Sequence, residues 1–201
     1  MKPRLALFGG TFNPIHVGHL RLAEDVREQY DLDTVLFIPT NIPPHKSVDA
    51  EIEPKHRLAM VRLAIEGNGS FACDDVELRR GGNSYTIDTV EYVYEKYEFE
   101  GRPYFIAGSD LMPEIGSWKL IERLAGLVHF IVLIRTDYPF TEESCNGIMG
   151  LSCSRFNARK IQVNSTEIRQ NLEKGASIRY LVTDRVLHYI QDHGLYRKNT
   201  G

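Results

Sequence analysis

The chain has 201 residues, 42% of them hydrophobic and 25% charged, with a formal net charge of −3. That length and balance suit one soluble globular domain over residues 1–201, long enough for a substantial core. They argue against a broad nucleic-acid-binding surface, so a polyanion must be held in a local pocket.

Leu5–Phe8 is predicted as a short buried strand, followed after Gly9-Gly10 by a helix over Val17–Tyr30. Thr34–Ile38 is the next strand and Pro54–Glu66 the next helix, with Pro54 in its first turn and Leu58, Val61, Leu63 and Ile65 as its apolar surface. Phe71–Cys73 reads as a weak strand that Val76–Leu78 extends after a bend, and Ser84 as a cap for a helix from Thr86 to Tyr97. Tyr104–Ala107 is a strand, Leu111–Leu124 is helical with a break near Gly116, and Val128–Ile134 is the most β-branched strand. Such alternation predicts an α/β fold, a doubly wound parallel sheet with helices on both faces.

From Arg135 to Lys160 the periodicity is lost, and Pro139, Gly147 and Gly150 suggest a long surface connector. A short strand, Ile161–Val163, then leads into a C-terminal helical portion over 164–201. Asn164 and Glu167 have the spacing of a capping box, with Ser165 as the other candidate cap, and Gly175 ends that helix. Thr183 caps a last helix that Gly194 closes. The start, Met1-Lys2-Pro3-Arg4, leads into too few apolar residues for a signal peptide, and no apolar run approaches membrane-spanning length. Cys73, Cys145 and Cys153 are odd in number and irregularly spaced, as expected of free thiols in a cytoplasmic protein.

The segment Gly9-Gly10-Thr11-Phe12-Asn13-Pro14-Ile15-His16-Val17-Gly18-His19 carries the strongest signal. It puts two imidazoles one helical turn apart where a strand becomes a helix, the place where helix N–H groups bind phosphate. Gly9, Gly10 and Gly18 present no Cβ to an approaching backbone or ligand. Zinc is the competing chemistry for two close histidines, with His45 as a third ligand, but the chain has no H-x-x-x-H or C-x-x-C pair to add to them. A Pro-Pro pair after the second strand stiffens a loop that presents His45 and Lys46. Ser165, Thr166 and Arg169 open a late helix and form a second anion site, and two such sites suit a triphosphate.

Along nearly its whole length the chain resembles the bacterial nicotinate-nucleotide adenylyltransferases. The matching pieces are Gly9–Leu20, Pro39–Lys46, Asp75–Leu78 with Ser84–Thr89, Ile106–Asp110 with Trp118, Ser165–Arg169, and Ser177–Leu181 through Tyr196. Asn164 departs from the serine common in the family. The resemblance implies a Rossmann-like nucleotidyltransferase fold and transfer of AMP from ATP to nicotinate mononucleotide, with pyrophosphate as the leaving group. It implies ATP contacts at Gly9, Gly10, Thr11, Phe12, His16, Gly18, His19, Gly108, Asp110, Arg135, Ser165, Thr166 and Arg169. The nicotinate nucleotide falls to Asn13, Lys46, Ser84, Tyr85, Thr86 and Trp118, and catalysis to His16, His19, Lys46 and Arg169. Mg²⁺ is expected to arrive on the ATP phosphates, with no metal site of the protein's own. No nucleic-acid or membrane partner is expected, and the protein is expected to be a monomer or a homodimer. A sister adenylyltransferase or cytidylyltransferase, a zinc hydrolase and a nucleotide sensor are the rival readings.

Overall fold

A computed structural model of the chain describes residues 2–42, 52–134, 149–159 and 161–197. The elements are β1 (Leu5–Gly10), α1 (Val17–Gln29), β2 (Thr34–Pro39), α2 (Pro54–Ile65), β3 (Phe71–Cys73), α3 (Val76–Arg80) and α4 (Thr86–Lys96). They continue with β4 (Tyr104–Gly108), a 3₁₀ helix (Ser109–Ser117), α5 (Ile121–Leu127), β5 (His129–Leu133), β6 (Ser152–Phe156), α6 (Ser165–Glu173) and α7 (Asp184–Asp192).

Among the described residues six strands form one sheet, all parallel, in the order β3-β2-β1-β4-β5-β6. The strand period of two divides the core into two layers. Ala6, Phe8, Val35, Phe37, Ile106, Ile131 and Leu133 face α1, α2, α6 and α7, whose apolar residues include Val26, Met60, Ile168 and Val186. Their neighbours Leu5, Leu7, Leu36, Ile38, Phe105, Ala107, Phe130 and Val132 face the other side, against Val76, Val90, Ile115 and Leu124. The chain winds away from β1 in both directions, so the sheet parts at the carboxyl ends of β1 and β4. That switch point is where open α/β sheets bind ligands. No helix among the described residues is long and apolar enough to cross a membrane.

Five local expectations are corrected. Val76–Leu78 is not strand but part of α3: the Asp74 carboxylate accepts the Val76 N–H at 2.8 Å and turns the chain out of the sheet. The predicted connector contains β6, an edge strand whose sequence Ser-Cys-Ser-Arg-Phe lacks the apolar run of a central one. Ile161–Val163 is not a strand. The Leu111–Leu124 helix is replaced by the 3₁₀ helix, which contains Pro113, and by α5 after Leu120 turns left-handed at φ 51°. Of the expected free thiols, Cys73 is free but Cys153 is disulfide-bonded.

Candidate active site

The loop after β1 is built around aromatic rings. Phe12 takes a left-handed φ of 47° and turns its side chain inward, leaving it 3% exposed. Its ring meets the His19 ring edge-on at 5.2 Å. A Cβ on Gly10 would lie 2.9 Å from the Phe12 ring, and one on Gly18 would lie 3.0 Å from His16 Nδ1. These glycines therefore make room for the loop's own rings. His16 is the residue before α1 and stacks on His19 with ring centroids 3.6 Å apart. The His16 backbone N–H donates to His19 Nδ1 at 3.2 Å. A neutral His19 ring that accepts at Nδ1 carries its proton on Nε2. Stacked rings of this kind do not converge two nitrogens on a tetrahedral ion. Among the described residues no group of three or more His, Cys, Asp or Glu is placed to hold a metal ion.

The start of α6 is brought to the same loop by long-range hydrogen bonds rather than by the strand expected before it. Arg169 Nη1 donates to the Asn13 carbonyl at 2.9 Å, and the Ser165 hydroxyl donates to the Pro14 carbonyl at 2.9 Å. Asn164 caps α6 by accepting the Glu167 N–H at 2.8 Å, as the sequence predicts. Ser165 thus commits its hydroxyl proton to positioning the helix. Tyr196 reaches back to donate to Asn13 Oδ1 at 2.6 Å, and the Leu181 carbonyl accepts the Val17 N–H at 3.0 Å. The C-terminal portion is therefore tied into the frame of the β1 loop.

Arg57 on α2 organises the other side. It is 2% exposed, and its Nη1 donates to the carbonyls of Thr11 at 2.8 Å and Thr40 at 2.7 Å. Burial pushes its pKa down, opposed by the Tyr196 and Glu77 charges. The Ser84 hydroxyl accepts the Asn41 N–H at 2.9 Å, which joins the loop after β2 to the approach to α4. Ser84 consequently does not cap α4. The residue preceding that helix is Tyr85, whose side chain does not cap it, and no other side chain among the described residues is bonded to its first amides. Lys119 lies 4.7 Å over the Tyr85 ring and bonds Asp88 at 2.8 Å. Trp118 packs edge-on against Phe105 at 6.2 Å and Phe130 at 6.3 Å.

These elements enclose one cleft of about 1540 Å³, room for a ligand larger than one mononucleotide. Every predicted site residue that the structure describes lines it: Gly9, Gly10, Thr11, Phe12, Asn13, His16, Gly18, His19, Ser84, Tyr85, Thr86, Gly108, Asp110, Trp118, Ser165, Thr166 and Arg169. Lys46, His45 and Arg135 lie outside the described residues. Sequence reasoning missed Arg57, Tyr196, Glu77 and Lys119. The signal for Arg57 was present: it shares a helical stripe with Met60, Val61 and Ile65, where a charge is out of place.

A family model described as cytidylyltransferase-like matches residues 7–171. The chain is 40% identical over 196 residues to a "probable nicotinate-nucleotide adenylyltransferase" of a Synechococcus strain, covering 96% of each. It is 41% identical over 216 residues to the protein of that name in Syntrophotalea carbinolica, covering 96% of this chain and 97% of that one. Among solved structures, it resembles the Plasmodium falciparum nicotinic acid mononucleotide adenylyltransferase complexed with NaAD. The TM-score is 0.75 at 22% identity, over 96% of this chain and 97% of that one, a likeness of fold.

Proposed function

The chain belongs to the cytidylyltransferase-like family and, within it, to the nicotinate-nucleotide adenylyltransferases, and we propose that its cleft joins the adenylyl group of ATP to nicotinate mononucleotide, giving nicotinate adenine dinucleotide and pyrophosphate in NAD biosynthesis. One observation carries this reading for the site. The starts of α1 and α6, two separate anion sites, are clamped together by the Arg169–Asn13 and Ser165–Pro14 hydrogen bonds.

The acceptor's phosphate is already a nucleophile. One of its oxygens forms a bond to the α-phosphorus as the bond from that phosphorus to the β-phosphate oxygen breaks, in line and without a covalent enzyme intermediate. The protein's part is to position the two substrates and stabilise charge. The Nε2–H that the His16 amide fixes on His19 donates to an α-phosphate oxygen as its charge shifts. His16 supports it, and Gly9, Gly10, Thr11 and Gly18 shape the loop. Thr166, Arg169 and the α6 amides hold the β- and γ-phosphates, and Lys46 neutralises phosphate charge. Gly108, Asp110 and Arg135 meet the adenosine.

The uncapped start of α4, at Ser84, Tyr85 and Thr86, takes the pyridine carboxylate through amides and the positive helix end. Trp118 offers a surface for the ring, and Asn13 frames the mononucleotide. Magnesium suits this donor set as a passenger on the triphosphate, where it screens phosphate charge. Small, soluble substrates fit a cytoplasmic monomer or homodimer. The test is pyrophosphate release from ATP across a panel of mononucleotide acceptors. Nicotinate mononucleotide should be the preferred acceptor, and equal or greater release with a pantetheine phosphate or a sugar phosphate would overturn the assignment.

A further inference from the structure

Glu77 has no part in the chemistry assigned above, yet it lines the same cleft. It is 7% exposed. Its Oε1 accepts a 2.7 Å hydrogen bond from the Thr89 hydroxyl on α4, while its Oε2 is buried without a hydrogen-bond partner among the described residues. A carboxylate buried with one oxygen unpaired is costly, and the usual response is to keep the proton. Burial does push the Glu77 pKa up, against the Thr89 and Ser84 hydroxyls and the charges of Arg80 and Arg57.

Ser84, Tyr85, Thr86 and Thr89 line the cleft alongside it, so this carboxyl lies beside the uncapped start of α4. The other charges nearby have partners of their own. On α4, Asp88 is bonded by Lys119 at 2.8 Å, and before α3, Asp74 is bonded by Lys96 at 3.0 Å. Arg80 on α3 donates to the Thr89 hydroxyl at 3.1 Å, and Arg57 on α2 donates to the loop carbonyls already described. Glu77 therefore has no carboxylate-matching cation bonded to it among the described residues.

We infer that Glu77 is a positioning residue that sets the acid-over-amide selectivity of the pyridine subsite through its own protonation. Protonated, it leaves the positive end of α4 to the substrate carboxylate. Ionised, it places a second negative charge beside that group and disfavours the acid, while the neutral carboxamide is little affected. The inference rests on the α4 start being the carboxylate subsite.

The experiment measures kcat/KM for nicotinate mononucleotide and for its amide across pH and follows their ratio. The ribose phosphate, ATP and the two histidines are common to both reactions and cancel. In the wild-type enzyme the ratio should fall about tenfold as rising pH ionises Glu77. Glu77→Gln, a neutral mimic, should keep the ratio high and flat. Thr89→Ala lacks the donor that favours the ionised carboxylate, so it should move the fall to higher pH. If Glu77→Gln does not fold, that displacement decides the matter. A large ratio independent of pH, or a fall that persists in Glu77→Gln, overturns the role of Glu77 and leaves the subsite standing. A ratio near one at every pH removes the subsite and the inference with it.

Discussion

Replacing Arg57 with methionine keeps most of the side-chain volume and removes the fork that holds two ligand-edge loops together. The Thr11 and Thr40 carbonyls, bonded at 2.8 and 2.7 Å by a side chain 2% exposed, would lose their donor. A hydrogen bond from a charged group contributes about 1.5–3 kcal/mol, and relief from burying the guanidinium offsets part of the loss. The expected destabilisation is about 3–5 kcal/mol, a large share of a total of about 5–15 kcal/mol. Urea unfolding followed by circular dichroism reads it as a lowered midpoint with an unchanged slope. Because Thr11 and Thr40 line the cleft, KM should rise for both substrates. A change below about 0.5 kcal/mol with unaltered KM would show that the loops do not depend on this guanidinium.

His19→Ala should lower kcat by roughly 10²–10³-fold, as for loss of one oxyanion donor, and steady-state kinetics showing only a raised KM would refute its role. Arg169→Ala should raise KM for ATP far more than for nicotinate mononucleotide, because the leaving pyrophosphate belongs to ATP alone; equal damage to both would make Arg169 a fold-supporting residue. Asp74 has its pKa pushed up by burial, but hydrogen bonds from Tyr97 and Lys96, the Lys96 charge and the Val76 N–H outweigh this and hold it below the ordinary 3.8. A depressed carboxylate contributes stability above its unfolded pKa and loses it as pH falls through the folded value. Thermal melts of Asp74→Asn and wild type should therefore converge as pH drops below 3.8, and a gap that stays constant there would contradict this.

The central strands were legible because both of their faces are buried: Leu5–Phe8 and Val128–Ile134 are apolar at nearly every position, as a parallel sheet requires. The edge strand β6 was not, since Ser152–Arg155 face less core and carry polar side chains. Val76 reads as strand from its sequence because the helix there is set by Asp74, which receives Lys96, Tyr97, Arg79 and the Val76 amide. For the cleft, the His16–His19 and Ser165–Arg169 segments could be found by local spacing at helix starts. Arg57, Tyr196 and Glu77 act through partners 12 to 183 residues away, separations that no local pattern encodes. Leu58 was expected on the buried face of α2, but Met60 occupies it together with Arg57.

In the proposed mechanism the transfer is direct: the protein positions two phosphates and never carries the adenylyl group itself. The most direct test uses ATP bearing sulfur at one stereochemical position of the α-phosphate, with phosphorus NMR reading the configuration of the dinucleotide product. A single in-line displacement inverts that centre, so complete inversion is the expected result. Retention would mean two displacements through a covalent enzyme intermediate and would contradict the account.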